Sequence, residues 1–315
     1  MVKGRFTAAE KEMKLLFNYI IFPGFLFSAV IGLISGWVDR KVTARVQWRV
    51  GPPWYQNFID IIKLLGKEII VPQGSKITFL LSPLFGLLSA VLVATILGNA
   101  FISPLEGFIG DIIVVLYLLV IPAISIIIGA FSSRNCLASV GASREMKLIL
   151  AYELPFILAI IVVLIKSAGA LQIGSIINYQ INFGSHLSSP SGALAFIVAM
   201  LCIQAKLDFV PFDMSEAEQE IMGGTLIEYS GLPLAIFKLT KAILLYTLPL
   251  LLISLFWANE IGVWALIGKY ILLLVIIVLV KNTNPRMRID QTIKFFWGPV
   301  TVVVTIALIL ALFGL

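Results

Sequence analysis

Residues 192–257 read GALAFIVAMLCIQAKLDFVPFDMSEAEQEIMGGTLIEYSGLPLAIFKLTKAILLYTLPLLLISLFW. Two apolar runs flank the segment 210–231, which carries five of the chain's 17 acidic residues: Asp213, Glu216, Glu218, Glu220 and Glu228. Carboxylates this close to hydrocarbon cost free energy unless they are solvated or paired. The stretch therefore predicts two membrane spans joined either by a functional acidic segment or by an ordinary solvated loop.

The spacing of these acids suggests proton chemistry. If the segment is helical from Asp213, then Asp213, Glu216 and Glu220 share one face and Glu218 points away from it. Carboxylates that lie close together raise one another's pKa, so that some of them hold protons near neutral pH. This is the property that a proton relay requires.

The composition indicates an integral membrane protein. The chain has 315 residues, of which 60% are hydrophobic and 13% are charged, whereas soluble domains carry about 25% charged residues. A span needs roughly 20 apolar residues, and eight runs qualify: 15–37, 77–98, 111–131, 148–165, 192–207, 232–257, 262–280 and 295–314. We expect an all-α fold with one membrane domain over 1–315, in which the first run is a retained span and not a signal peptide.

The distribution of lysine and arginine predicts the orientation. The loops after the first, third, fifth and seventh runs carry 15 of these residues, against four in the N-terminal tail. Basic loops stay in the cytoplasm, so both termini are predicted to lie outside a prokaryotic plasma membrane. The acidic segment then faces the cytoplasm together with the basic loops.

The first of these basic loops is predicted to be structured. Between Phe58 and Ile70, the residues Ile59, Ile62, Leu65 and Ile69 fall on one helical face and Asp60, Lys63 and Lys67 on another. A helix of about 13 residues is too short to span, and we expect it to lie in the membrane interface. The basic residues of the loop are either ordinary cytoplasmic charge or a docking surface for an acidic partner or for lipid head groups.

Three of the charges that fall inside apolar runs bear on the acidic segment. Glu153 lies about one turn inside the fourth run, and Lys238 and Lys241 share a face of the sixth. A charge at mid-membrane costs about 2.5–3.5 kcal/mol on insertion scales, so each needs a partner or a wet cavity. We expect these residues and the acidic segment to form one buried polar network. For Glu153 the alternative is snorkelling toward the head groups.

Residue types for metal or cofactor binding are scarce. Cys136 and Cys202 are expected to be buried free thiols, and His186 is expected to be a surface residue. No glycine-rich phosphate loop, cysteine cluster or catalytic triad pattern occurs. We expect the chain to bind no metal, iron–sulfur cluster or nucleotide of its own, and no nucleic acid.

Several short motifs, rich in charged residues, glycine and proline, lie along the loops that are predicted to be cytoplasmic. The first loop has Asp39-Arg40-Lys41, Arg45, Arg49, Gly51-Pro52, Asp60-x-x-Lys63 and Lys67-Glu68. The third loop and the following run have Arg134-Asn135, Gly141-Ala142, Arg144 and Tyr152-Glu153. The acidic segment has Pro211-Phe212-Asp213, Glu216-Ala217-Glu218-x-Glu220 and Glu228-Tyr229-Ser230-Gly231, and the last loop has Arg286-x-Arg288-x-Asp290-Gln291.

In this order, the motifs resemble those of the H-subunit family of respiratory complex I. They are closest to the membrane anchor of group 4 NiFe hydrogenases and of related archaeal ferredoxin-linked complexes, including sulfane sulfur reductase. One departure is the sequence Lys206-Leu207-Asp208-Phe209. There the respiratory members have Glu-Thr-Asn-Arg, and the change puts a respiratory type of quinone site in doubt.

The resemblance implies a membrane anchor that couples electron transfer to proton or sodium translocation. Its partners on the cytoplasmic side would be hydrophilic iron–sulfur and hydrogenase-like large subunits, which hold the iron–sulfur clusters and any NiFe centre. Its partners in the membrane would be antiporter-like subunits. The relay would consist of Glu153, Asp213, Glu216, Glu218, Glu220, Glu228, Lys238 and Lys241. The docking surface would consist of Asp39, Arg40, Lys41, Arg45, Arg49, Asp60, Lys63, Lys67, Arg134, Arg144, Arg286, Arg288 and Asp290. The alternatives are a quinone-site subunit and a stand-alone secondary transporter.

Overall fold

The computed structural model describes residues 16–104, 107–260 and 262–314, without the side chain of Glu218. The basic N-terminal tail used above lies outside these residues. Twelve helices are labelled here in chain order: α1 Phe25–Val46, α2 Gln56–Leu65, α3 Lys76–Ile102, α4 Asp111–Ser132, α5 Cys136–Lys166, α6 Ile173–Phe183, α7 Pro190–Lys206, α8 Glu218–Ile221, α9 Gly231–Phe256, α10 Val263–Thr283, α11 Ile289–Phe295 and α12 Thr301–Leu312.

The all-helical membrane fold is confirmed. Within the described ranges there is no strand, and seven helical stretches are long and apolar enough to cross a membrane. The first is Leu16–Val46 and the last is Ile289–Leu312, which joins α11 and α12 through a π-helical turn at Phe296–Val300. The fifth predicted span is the shorter α7.

Helix α9 is the centre of the bundle. In its most apolar stretch 83% of the residues are buried, against 28% for α10 and for the first and last spans. It packs against α1, α3 and α10 and against the amphipathic α2. Large apolar side chains on the outer helices are exposed in the isolated chain, for example Ile77, Leu88 and Tyr117, as expected of surfaces that face lipid.

Helix α5 is longer than the fourth predicted span. It begins at Cys136, so most of the predicted loop 132–147 is helical. The side chain of Asn135 caps the helix by accepting a hydrogen bond of 2.8 Å from the backbone amide of Leu137. Ala138, Gly141 and Ala142 follow on its buried face. Small residues at this spacing let the neighbouring backbone approach closely.

The amphipathic helix is shorter than predicted. Helix α2 ends at Leu65, and Gly66 follows it, so Lys67 and Ile69 lie beyond the helix. Its buried contact is Asn57, which donates a hydrogen bond of 2.8 Å to the carbonyl of Leu33 in α1. Ile62 and Leu65 are exposed and form the apolar side expected of a helix in the interface.

The acidic segment is not a helix from Asp213. Residues 207–217 are turns and irregular backbone, followed by the single turn α8 and a 3-10 turn at Gly224–Leu226. The segment lies directly on α5, since a side chain at Gly141 would collide with the carbonyl of Ser215 and the amide of Thr225. The predicted shared face of Asp213, Glu216 and Glu220 is therefore wrong.

Two smaller predictions are also wrong. Cys202 is buried, but Cys136 is exposed at the first turn of α5. His186 is buried between α6 and α7, with its Nε2 2.9 Å from the hydroxyl of Ser167. Burial and the charge of Lys166 lower the pKa of His186 to about 4, so it is a neutral packing residue.

Candidate functional site

A group of buried and half-buried charges lies beneath the acidic segment, where α5, α7 and α9 meet. We call this group the inner cluster; it consists of Glu145, Glu153, Lys206, Asp208, Glu216 and Lys241. The sequence placed Glu153, Glu216 and Lys241 in one network, and the structure brings these three into the same region. Glu145, Lys206 and Asp208 are additional members.

Lys241 binds two acids. Its Nζ is 3.1 Å from Oδ2 of Asp208 and 2.7 Å from Oε1 of Glu216. The second contact is an ion pair without hydrogen-bond alignment. Asp208 follows the end of α7 in the left-handed conformation, at a φ of 52°, which an aspartate tolerates better than most residues. This turn directs its carboxyl toward α9.

Lys206 holds Glu153 in an enclosed site. Its Nζ is 2.8 Å from Oε2 of Glu153, and the side chain of Lys206 is 3% exposed. The ammonium also lies 4.8 Å from the ring centre of Tyr152 and 4.9 Å from that of Phe156. Cation–π contacts of this kind compensate part of the desolvation of the ammonium. Glu153 is therefore paired with Lys206, and it does not contact the lysines of α9 as the network prediction implied.

Glu145 is the most deeply buried acid of the inner cluster, at 2% exposure. It lies on the buried face of α5. Its Oε2 has no hydrogen-bond partner. Glu145 lines a small cavity together with Lys206, Asp208 and Lys241.

Two cavities reach the inner cluster. The larger has a volume of about 330 Å³ and lies between α1, α2 and α9. Apolar residues such as Leu33, Ile61 and Phe209 line it together with seven charged ones: Asp39, Arg40, Asp60, Asp208, Glu216, Lys238 and Lys241. Lys238 is exposed there and not buried as expected from its depth in the sixth run. The smaller, of about 20 Å³, is lined by Glu145, Lys206, Asp208 and Lys241 with apolar residues of α4.

The other acids of the segment form contacts at the surface, which we call the outer clamps. Arg144 pairs with Glu220, Arg286 is 2.7 Å from Asp213, and the Asn135 side chain donates a hydrogen bond of 2.6 Å to Glu228. Burial raises the pKa of Asp213 despite the opposing charge of Arg286. These three acids do not meet one another.

Apart from Arg144 and Arg286, which belong to the outer clamps, the predicted docking residues divide into two groups. Asp39 pairs with Lys281 at 2.8 Å and Arg40 with Asp60 at 3.0 Å, Lys41 bonds the carbonyl of Val50, and Arg134 bonds Ser75. Burial of Asp60 is outweighed by the hydrogen bonds from Arg40 and Gln56, so its pKa is lowered. The remaining residues are exposed: Arg45, Arg49, Lys63, Lys67, Arg288 and Asp290.

The structure also explains why sequence reasoning missed part of the site. Glu145 was assigned to a loop between Arg144 and Lys147, but it follows Ala138, Gly141 and Ala142 at helical spacing and so shares their buried face. Lys206 and Asp208 were noticed as a departure from the family motif. Lys206 and Asp208 carry opposite charges and lie two residues apart at the end of a predicted span. This pattern is the signal in the sequence that indicates ion-paired side chains.

The arrangement can hold and exchange protons, and it offers little to a metal. Across residues 16–104, 107–260 and 262–314, no three His, Cys, Asp or Glu side chains are placed to hold a metal ion. The inner cluster instead joins carboxyls, ammonium groups and a cavity, which are the components of a proton path. Of the predicted relay acids, Glu218 has its side chain outside the described part of the chain.

The chain is similar over most of its length to known membrane proteins of one family. The family model described as NADH dehydrogenase matches residues 18–312. The NADH-quinone oxidoreductase H subunit of Thermomicrobium roseum is 33% identical over 316 residues, covering 90% of this chain and 92% of the relative. The corresponding protein of Dehalococcoides mccartyi is 31% identical, covering 90% and 82%. In the structure of the membrane-bound sulfane sulfur reductase, an archaeal respiratory membrane complex, a chain superposes with a TM-score of 0.83 at 30% identity, covering 94% of this chain and 97% of that one.

Proposed function

The chain belongs to the NADH dehydrogenase family, and on that premise we propose that it is the membrane subunit of a complex-I-like respiratory complex in the prokaryotic plasma membrane. It anchors the electron-transfer subunits and couples their reaction to proton or sodium movement. The similarity to a chain of the sulfane sulfur reductase complex supports a respiratory membrane complex of the archaeal type, and the motif resemblance favours a ferredoxin-linked one. A membrane-bound hydrogenase is the other assignment within this class.

The observation that carries this proposal is the position of Glu216. It belongs to the acidic segment, whose outer clamps lie at the surface, and it also binds Lys241 inside the bundle. A partner that displaces the segment would change the charge around Lys241. Because Lys241 also pairs with Asp208 at 3.1 Å, this change would alter the charge balance of the inner cluster.

The docking surface that we propose consists of exposed basic residues in the loops that are predicted to be cytoplasmic. Arg45, Arg49, Lys63, Lys67 and Arg288 are exposed there. The partners we propose are hydrophilic subunits that hold the iron–sulfur clusters and, in a hydrogenase, the NiFe centre. Antiporter-like membrane subunits would cover part of the apolar outer surface.

The test uses the whole complex in proteoliposomes. In E216Q and D208N we expect redox turnover to be retained while ion movement per turnover falls at least several-fold, because the charge balance at Lys241 is altered. E68Q, which changes an exposed carboxylate on the same face, serves as the control. Ion movement that matches the wild type in both variants would refute the coupling role.

The larger cavity has a mixed lining. Its charged residues favour water and ions, whereas apolar residues such as Leu33, Ile61 and Phe209 fit the quinone-site alternative. The secondary-transporter alternative predicts ion movement by the purified subunit alone in liposomes, and the coupling role predicts none without the partner subunits.

A further inference from the structure

A groove between α3 and α4 opens on the outer surface of the bundle, with a volume of about 380 Å³. Its lining is almost entirely apolar, and the side chains on its rim, such as Ile77 and Phe85, are exposed in the isolated chain. The groove therefore faces hydrocarbon. Its walls are formed by Ile77, Leu81 and Phe85 on α3 and by Ile121, Ile124 and Ile128 on α4.

The floor of the groove consists of small residues whose hydroxyl groups point to backbone. The hydroxyl of Ser82 donates a hydrogen bond to the carbonyl of Ser125, and the hydroxyl of Ser125 donates one of 2.6 Å to the carbonyl of Pro122. A side chain at Gly86 would collide with the Ser125 hydroxyl. The two helices thus touch at small residues, and the larger side chains on either side leave a trough between them.

Tyr229 of the acidic segment fills the inner side of this contact. Its ring stacks on the ring of Phe79 with their centres 4.0 Å apart, and its hydroxyl donates a hydrogen bond of 3.2 Å to the carbonyl of Phe79. A side chain at Gly129 would collide with the hydroxyls of both Tyr229 and Ser82. This packing separates the groove from the charged cavities of the interior, so an occupant has to enter from the bilayer.

The length of the groove matches one leaflet. Its lining runs along α3 from Ile77 to Phe85, which is about 12 Å at 1.5 Å per residue. Half of the hydrocarbon core of a bilayer is roughly 15 Å. A partner helix that crosses the membrane would need a complementary surface along about 30 Å. The dimensions therefore fit a single hydrocarbon chain of one leaflet better than a helix.

Two basic residues lie at the end of the groove nearest the basic loops. Lys76 is the first residue of α3, and Arg134 follows α4 with its Nε 3.2 Å from the hydroxyl of Ser75. Both are exposed, and neither forms an ion pair with the part of the chain that the structure describes. Basic pockets between membrane helices on the cytoplasmic side attract anionic head groups.

We propose that the groove binds one hydrocarbon chain of an anionic phospholipid, whose phosphate binds Lys76 and Arg134. The chain covers the apolar walls, and the phosphate supplies the negative charge that the two cations lack. A zwitterionic phospholipid carries a cation beside its phosphate and is therefore attracted less. The site is separate from the inner cluster and adds a lipid ligand to the proposed coupling function.

The test is photocross-linking of the intact complex, purified in detergent, with added phospholipid. Two probes carry a diazirine in the same chain and differ only in the head group, which is the anionic phosphatidylglycerol or the zwitterionic phosphatidylcholine. Labelled peptides are identified by mass spectrometry. We expect saturable labelling of α3 and α4 that is several-fold stronger with phosphatidylglycerol and that unlabelled phosphatidylglycerol prevents.

The variants separate the head-group site from the chain site. One basic residue near a membrane surface contributes about fivefold to the affinity for anionic lipid, so K76Q/R134Q should raise the half-saturating concentration of phosphatidylglycerol about 25-fold. Binding of phosphatidylcholine should hardly change. K147Q/K294Q, which removes two exposed lysines elsewhere at this end of the bundle, is the matched control and should bind like the wild type. L81W places a large side chain in the groove and should abolish the labelling by both probes.

Equal labelling of the wild type by the two probes would identify an ordinary lipid-facing surface and refute the site. An effect of K147Q/K294Q as large as that of K76Q/R134Q would also refute it, because the attraction would then belong to the charged surface as a whole. A photoreactive amino acid in place of Leu81 tests the remaining occupant. A cross-link from it to another subunit, without lipid labelling of the wild type, would assign the groove to a partner helix.

Discussion

The inner cluster and the outer clamps both bind carboxylates, and they differ in their partners, in burial and in balance: lysines in the cluster, arginines and an asparagine in the clamps. In the clamps each acid has one partner near the surface, and the Glu220 side chain is 56% exposed. In the inner cluster acids outnumber lysines, and Asp208 and Lys206 are almost fully enclosed. Exposed pairs contribute about 0.2–1 kcal/mol, whereas removing one partner of a buried pair costs about 3–5 kcal/mol.

A single segment contributes to both regions. Asp213 and Glu220 point to the clamps, and Glu216, between them in sequence, points to Lys241. A regular helix would place all three on one side, so the irregular backbone is what separates them. The difference suggests that the clamps fix the segment and the inner cluster responds to its position.

The largest effect is expected for Lys241→Met. This change leaves Asp208 and Glu216 without their ammonium, and we expect a loss of about 5 kcal/mol in stability together with loss of coupled ion movement. The measurement is the melting temperature and ion movement of the purified complex. The matched control is Lys147→Met, an exposed lysine at the same end of the bundle. If Lys241→Met and Lys147→Met lowered the melting temperature and ion movement equally, the lysine of the inner cluster would contribute no more than an exposed lysine, which contradicts the prediction.

A smaller effect is expected for Lys206→Met, because this change leaves one carboxylate, and not two, without its ammonium partner. We expect a cost of about 3 kcal/mol. Adding Glu153→Gln should restore much of the stability, since it removes the unpaired carboxylate. The double-mutant cycle gives the coupling free energy between the two side chains. Additive losses in the double mutant would show that Lys206 acts through its aromatic contacts alone.

The sequence predicted the fold class and the main charged residues better than it predicted which of these residues pair with each other. Apolar run lengths depend on local composition, and they correctly predicted the seven long apolar helices and the shorter α7, but not α6. The pairing of Glu153 with Lys206 depends on how α5 packs against α7, which no spacing within either run encodes. Glu145 was missed because its charged neighbours suggested a loop, although the small residues before it favour a buried helical face.

The outer clamps should respond weakly to mutation. Arg144→Ala removes the partner of Glu220 at the surface, and we expect a loss of about 0.2–1 kcal/mol. Hydrogen exchange in the acidic segment should rise, because the clamp holds the segment on α5. Lys147→Ala, three residues further along the same helix, should leave this exchange at the wild-type level. A loss as large as that for Lys206→Met would place Arg144 with the inner cluster.

The smallest effect concerns Asp213, the most enclosed acid of the clamps. Its pKa is raised because burial outweighs the charge of Arg286, so the folded state binds the Asp213 proton more tightly than the unfolded chain does. This contribution to stability is therefore complete at low pH and is lost as the pH rises through the folded pKa. Asp213→Asn, which cannot ionise, should remove this part of the pH dependence of the melting temperature. A variant with the same pH dependence as the wild type would show that Arg286 compensates fully for burial, as in an exposed ion pair.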